Sequence, residues 1–154
     1  MEDRLGHRMP PNLVKGIVLV PGGAFRRHWE YGAEGKKWRY FFILNRAPET
    51  DDHLVIVTAT TQIEKAFKCF CHKALVTVDP KEYPSLERRS VINCSLPEEK
   101  TKEELIRAIE RGEVCCLAPL PDSILAKVRK AIETATTVTP RLKRLVLGED
   151  DCLN

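Results

Sequence analysis

Short apolar runs in the first two thirds of the chain predict β-strands. The runs are rich in β-branched and aromatic side chains, and Pro, Gly, Asn and Asp stand between them, as is typical of strands and their turns. The polar stretch RAPETDD joins the second and third runs, so we expect these two strands to pair as a hairpin. The predicted strands cover residues 13–20, 38–45, 54–61, 73–78 and 90–95.

Apolar residues repeat at helical spacing in the last third of the chain. Leu105 and Ile109 follow a capping box that begins at Thr101, which predicts a helix there. Two further helices are predicted to begin near Asp122 and at Pro140. Strands followed by helices predict an α+β domain, a small bent sheet or barrel with helices packed beside it.

Composition favours one folded domain. The chain has 154 residues, of which 43% are apolar and 31% charged, and this mixture excludes disordered and fibrous classes. We expect one domain over residues 13–147, an N-terminal extension over 1–12 and an acidic tail over 148–154. No apolar stretch approaches the roughly 20 residues that span a bilayer, and the first residues do not have the order of a secretory signal. We therefore expect a cytoplasmic protein with no membrane association.

Six cysteines raise the questions of disulfides and metal binding. A chain of this size can bury a sufficient core without disulfides, so we expect reduced thiols. The cluster Cys69-Phe-Cys71-His72 contains metal-ligand types, with Cys94 as a further candidate, but a second pair at ligand spacing is missing. We therefore predict no metal and no cofactor. The adjacent cysteines of GEVCCLAPL are expected to point to opposite faces of a strand.

Basic residues are concentrated between positions 22 and 46 and alternate with aromatic ones. The net charge of +3 is small, so any polyanion site must be local. Residues 24–37 have no sustained period and are predicted to form a long surface loop. Cations would neutralise phosphates and aromatic rings would stack on unpaired bases; alternatively, the loop is solvated and its tryptophans fold back onto the core. The predicted RNA-binding residues here are Arg26, Arg27, Trp29, Lys36 and Lys37.

Hydroxyl and amide side chains stand at the end of the third predicted strand, in the sequence TATTQ. Thr60, Thr61 and Gln62 can orient a phosphate there, although threonine also favours strands and often bonds its own backbone near a turn. Antiparallel pairing would bring the end of this strand beside the beginning of the preceding one. We therefore expect Arg39 and Thr60 to face one pocket.

The order of these features resembles that of the MazF/PemK toxin endoribonucleases of bacterial toxin–antitoxin systems. The matching pieces are KGIVLVPGGA, the basic loop, the strand that Arg39 opens, and VIVTATTQ ending at Gln62. The similarity covers most of residues 13–135 in order. The chain departs from the family pattern at Lys15-Gly16, where Gly-Asp is usual, and at Tyr40, where proline is usual.

The resemblance implies an SH3-like, MazF/PemK-type bent β-barrel with C-terminal helices. It also implies that Arg39 and Thr60 are a catalytic pair for metal-independent cleavage of single-stranded RNA, in which the 2′-hydroxyl is the nucleophile. Such a protein must hold the phosphate and stabilise its growing charge. The implied partners are single-stranded RNA and a cognate antitoxin protein, and a homodimer is a further candidate.

His28 is the one histidine in the basic segment. It would titrate near neutrality, which suits a general acid or base, although a solvent-facing loop histidine is the simpler interpretation. Two alternatives to the toxin stay open. The first is a catalytically inactive barrel that binds RNA or a protein on the same face, and the second is a structural or regulatory module.

Overall fold

Six antiparallel strands form one sheet in the part of the chain that the structure describes. The computed structural model describes residues 10–31 and 35–148, and for residues 28–38 it describes no side chain. The strands are β1 (Ala24–Tyr31), β2 (Gly35–Ile43), β3 (His53–Thr60), β4 (Leu75–Val78), β5 (Ser90–Thr101) and β6 (Val114–Leu117). Their spatial order in the sheet is β4-β5-β3-β2-β1-β6. The helices are α1 (Pro11–Val18), α2 (Ile63–Cys69), α3 (Lys102–Glu110), α4 (Asp122–Thr134) and α5 (Pro140–Leu147), with a 3₁₀ turn at His72–Ala74.

Helices cover both faces of the sheet, which explains the continuous apolar run of β3. Leu54 and Ile56 pack in one cluster with residues of α1 and α3. Val55 and Val57 pack in another cluster with residues of α4 and α5. All four side chains are buried, because alternate residues of a strand point to opposite faces. We call the two sides the α3 face, which carries Leu54, and the α4 face, which carries Val55.

The predicted α+β class is confirmed, but the sheet is not closed into a barrel. Strands β4 and β6, of four residues each, are its two edges in the described part of the chain. A small barrel encloses one core that its strands share. Here the apolar residues divide between two faces, and each face is buried by its own helices. The bent barrel was therefore wrong, and an open sheet between helices takes its place.

The first predicted strand, residues 13–20, is wrong because most of this segment forms helix α1. Pro11 stands at the first helical position, where proline is favoured. Val14 and Val18 lie one turn apart and are buried in the same cluster as Leu105 and Ile109 of α3. An apolar run of this length fits either a buried strand or a helix, so its pattern alone did not decide between them.

The predicted surface loop at residues 24–37 is also wrong. Residues 24–31 form β1 and residues 35–37 begin β2, and the two strands pair from Ala24 with Phe42 to Tyr31 with Gly35. β3 pairs with β2 no further than Tyr40. Beyond that point β1 and β2 form a two-stranded ribbon, residues 28–31 and 35–38, joined by backbone hydrogen bonds. The sequence of the ribbon has no sustained apolar alternation and therefore resembles that of a loop.

The helix after Thr101 begins with the predicted cap, and the helix after Thr139 is capped in the same way. The Thr101 hydroxyl accepts from the backbone N–H of Glu104 at 3.1 Å, and Gly112, after the end of α3, has a φ of 73°. The Thr139 hydroxyl accepts from the N–H of Leu142 at 3.3 Å. Such caps satisfy backbone groups that a helix end leaves open. The longest described helix, α4, has 13 residues, and no helix over residues 10–31 or 35–148 is long and apolar enough to cross a membrane.

Buried Asn45 fixes the connection between β2 and β3. Its Oδ1 accepts from the N–H of Val55 at 2.7 Å, and its Nδ2 donates to the carbonyl of His53 and to Asp51 Oδ2, both at 2.8 Å. Leu44 N–H also donates to the Val55 carbonyl, at 2.9 Å. The amide side chain thus extends the β2–β3 ladder beyond the last paired residues and holds the two strands in register.

We expect Asn45→Ala to destabilise the fold by about 2–4 kcal/mol, because it leaves the buried N–H of Val55 and the part-buried carbonyl of His53 without their partner. Urea denaturation followed by circular dichroism measures this loss. Thr50→Ala is the control, since Thr50 is exposed and donates only to the carbonyl of Ala47 within the same turn. Equal stability of the two variants would contradict the assigned role of Asn45.

Candidate functional site

Arg39 and Thr60 are the residues next to the last pair between β2 and β3. Tyr40 pairs with Ala59, and Arg39 and Thr60 each lie one residue further along their strands, so both point away from the face that carries Tyr40 and Ala59. Residues directly opposite on antiparallel strands share a face. Phe41, two positions after Arg39, is buried with residues of α1 and α3, so the pair belongs to the α3 face. Arg39 and Thr60 thus lie on one face of the sheet, and the expectation that they face one pocket stays a prediction.

A strip of polar side chains surrounds this pair. Arg27 of β1 lies opposite Arg39, while Thr58 precedes Thr60 by two residues and lies opposite Asn93 of β5. All five residues are half-buried, and apolar clusters border them on two sides. We call Arg27, Arg39, Thr58, Thr60 and Asn93 the polar strip. Two arginines and three neutral hydrogen-bonding groups are suited to a phosphate and its neighbours.

The hydroxyl of Thr60 has a local structural partner. Its Oγ1 accepts from the backbone N–H of Gln62 at 3.1 Å, in the turn that leads into α2. This is the structural role weighed from the sequence. The bond uses a lone pair of the oxygen and leaves its proton to donate, so the turn also fixes the direction of the hydroxyl. Thr61 and Gln62 are exposed in the same turn.

Within the polar strip, Arg27 is held by an ion pair. Its Nη2 lies 2.9 Å from Oε1 of Glu113, the residue before β6, and the two side chains are 37% and 39% exposed. An ion pair this accessible to water contributes little free energy. An incoming phosphate could therefore replace the carboxylate at small cost. Glu113 was not identified from the sequence, since only the pairing of β1 with β6 brings it here.

Arg26, predicted to bind RNA together with Arg27, lies on the other face of the sheet. It pairs with Tyr40 of β2 and Cys115 of β6, and its side chain is 15% exposed and lies 3.8 Å from Glu87. Neighbouring residues of a strand point to opposite faces, so the two arginines cannot serve one surface. Arg26 belongs to the α4 face and the loop beside it.

The remaining predicted contacts lie on the β1–β2 ribbon. Its backbone pairs run from His28 with Trp38 to Tyr31 with Gly35, and include Trp29 with Lys37. The ribbon extends the two strands that carry Arg27 and Arg39. The side chains of His28, Trp29, Lys36 and Lys37 lie outside the described part of the structure, so the roles assigned to them stay predictions.

Two exposed arginines lie at the same end of the sheet as the polar strip. Arg88 and Arg89 precede β5, and Val91 of that strand pairs with Thr60. Both arginines lie between the predicted strands 73–78 and 90–95, and no role was predicted for them. Their charges add to those of Arg27 and Arg39, and a local excess of cations attracts a polyanion.

The cysteines and His72 do not form a metal site in the described ranges, where no group of three candidate ligands comes together. Cys69 and Cys71 are exposed, whereas Cys94 is buried. Burial raises the pKa of the Cys94 thiol to about 12, which disfavours the thiolate that binds metals. His72 contacts the Phe67 carbonyl through Nε2 at 3.0 Å. Cys115 and Cys116 lie on opposite faces of β6, as predicted.

No protein-family model matches the chain, and no curated protein shows significant similarity to it. The functional interpretation therefore depends on the polar strip, the ribbon beside it and the resemblance of the sequence motifs.

Proposed function

We propose that the chain is a metal-independent endoribonuclease of the MazF/PemK toxin type, which cleaves single-stranded RNA and is inhibited by a cognate antitoxin. The observation that carries this proposal is that Arg39 and Thr60 lie next to the last β2–β3 pair, Tyr40 with Ala59, on one half-buried polar face. The sequence motifs point to the same two residues. The polar strip is the proposed active site.

The proposed reaction uses the RNA's own 2′-hydroxyl as the nucleophile. Its oxygen forms a bond to phosphorus while the bond from phosphorus to the 5′-oxygen breaks, leaving a 2′,3′-cyclic phosphate. The protein must orient the phosphate and stabilise the charge that grows on its oxygens. A proton leaves the 2′-hydroxyl and another is supplied to the departing 5′-oxygen, and His28 is our candidate for one of these transfers.

Four residues of the polar strip have distinct roles in this proposal. Arg39 presents a planar fork of donors to two phosphate oxygens, and Arg27 adds a second positive charge beside it. Thr60 donates its hydroxyl proton to a phosphate oxygen while its lone pair stays bound to the Gln62 N–H. Asn93 accepts from Ser95 through Oδ1, at 3.0 Å from the backbone nitrogen and 2.6 Å from the hydroxyl, which leaves its amide group to donate towards the RNA.

The basic ribbon would hold the RNA strand on either side of the cleaved phosphate. Lys36 and Lys37 supply charge, and Trp29 supplies a ring on which an unpaired base can stack. Arg88 and Arg89 extend the positive surface across the end of the sheet. The affinity from such contacts depends little on the RNA sequence and strongly on the salt concentration.

We expect Thr60→Val to lower the rate of RNA cleavage by about 100-fold or more, with nearly unchanged RNA affinity, since a hydrogen bond aligned to the transition state affects rate more than binding. Thr60→Ser keeps the hydroxyl and should retain most activity. Arg39→Ala should abolish growth arrest when the protein is expressed in bacteria without an antitoxin. Single-turnover cleavage of labelled RNA and growth curves measure these effects.

Matched controls separate chemistry from folding in this experiment. Thr77→Val changes a half-buried strand threonine outside the strip, and Arg107→Ala changes an exposed helix arginine that pairs with Glu103. Both should cleave RNA normally. If the intact protein binds RNA but neither cleaves it nor arrests growth, the toxin assignment fails and the inactive RNA-binding alternative replaces it.

The lysines of the β1–β2 ribbon should affect how RNA affinity depends on salt. Replacing Lys36 and Lys37 by Gln should weaken binding of single-stranded RNA and reduce the slope of log affinity against log salt by about 0.7 for each lost phosphate contact. Fluorescence anisotropy over a salt series measures the slope. The control is Lys127→Gln with Lys130→Gln on α4, which should leave it unchanged. An equal slope in both double variants would mean that the ribbon does not contact RNA.

A further inference from the structure

Strand β4 leaves one side of its backbone unpaired in the described residues. It pairs with β5 from Leu75 with Asn93 to Val78 with Ser90, and no other strand borders it there. An edge strand presents outward N–H and C=O groups that can pair with another extended chain. This edge is therefore able to accept an additional strand.

A groove of about 530 Å³ runs beside this edge, between β4 and helix α4. Leu75 and Val76 supply its apolar side on the strand, and Ala126 and Ala131 line it on the helix. Ala126 is exposed, and its single methyl group leaves space next to the strand where a longer side chain would fill it. We call this feature the β4 groove. Its position beside the unpaired edge of a strand suits an extended peptide.

The charges that line the β4 groove all have one sign. Lys73, Lys127 and Lys130 line it, and no carboxylate does. Lys127 lies 3.9 Å from Glu82 and Lys130 lies 3.5 Å from Glu133, and all four side chains are well exposed. Exposed pairs of this kind are weak, so the lysines can turn to another anionic partner. The groove therefore favours acidic side chains.

We propose that the β4 groove binds an extended acidic segment of a partner protein, which adds to the sheet as a strand next to β4. Main-chain bonds to β4 would give affinity, and alternate acidic side chains would meet the lysines. A second copy of this chain is a poorer occupant, because symmetric pairing of two β4 edges would bring the same lysines together. The proposal is independent of the catalytic role of the polar strip.

The test uses a fluorescein-labelled synthetic octapeptide of alternating Glu and Val and the full chain. We expect binding by fluorescence anisotropy, with amide chemical-shift changes at residues 75–78 in the NMR spectrum. Lys127→Gln with Lys130→Gln should weaken affinity about fivefold. Ala126→Trp, at an exposed position, should block the groove without changing charge. Lys36→Gln with Lys37→Gln is the control that should bind normally.

Three further probes distinguish strand addition from simple charge attraction. The same peptide with alternate backbone amides methylated should not bind, and a peptide with Lys in place of Glu should not bind. Equal binding of the methylated peptide, or unchanged amide shifts at 75–78, would overturn the proposal. Displacement of the peptide by an equal concentration of single-stranded RNA, or dimerisation that Ala126→Trp abolishes, would also overturn it in favour of another occupant.

Discussion

The pairing register of β2 on β3 is the constraint on which the proposed site depends. Asn45 holds this register through side-chain bonds to Val55 and His53. A slip of one residue would move every β2 side chain to the other face. Arg39 would then leave the α3 face, and Phe41 would leave its cluster with α1 and α3. The polar strip and the hydrophobic core are thus set by the same pairing.

Burial of both sheet faces accounts for most other features of the molecule. Helices α1 and α3 cover one part of the α3 face, and α2 covers another with Leu75 and Val91. The polar strip lies between these two clusters, so its residues are half-buried on a rigid sheet. Helices α4 and α5 bury the opposite face. Because the sheet stays open, it keeps two edges, and one of them forms the β4 groove.

Patterns among neighbouring residues predicted the helices and strands that a short stretch of sequence is enough to specify. The capped helices after Thr101 and Thr139 and the apolar strand before Thr60 are of this kind. Helix α1 was missed because its apolar run fits both a strand and a helix, and the ribbon was missed because its sequence has no sustained apolar alternation. The proximity of Arg39 and Thr60 was predictable, because the two strands that carry them were predicted to form a hairpin. Glu113 and Asn93 reach the site only because strands far apart in the sequence pair with each other.

A double-mutant cycle on the RNA cleavage rate tests the central claim most directly. Arg39→Ala, Thr60→Val and the combined variant are compared in single-turnover reactions at saturating protein. If both side chains hold one phosphate in the transition state, the combined loss should be much smaller than the product of the separate losses. Losses that multiply, or no cleavage by the unchanged protein, would contradict the account.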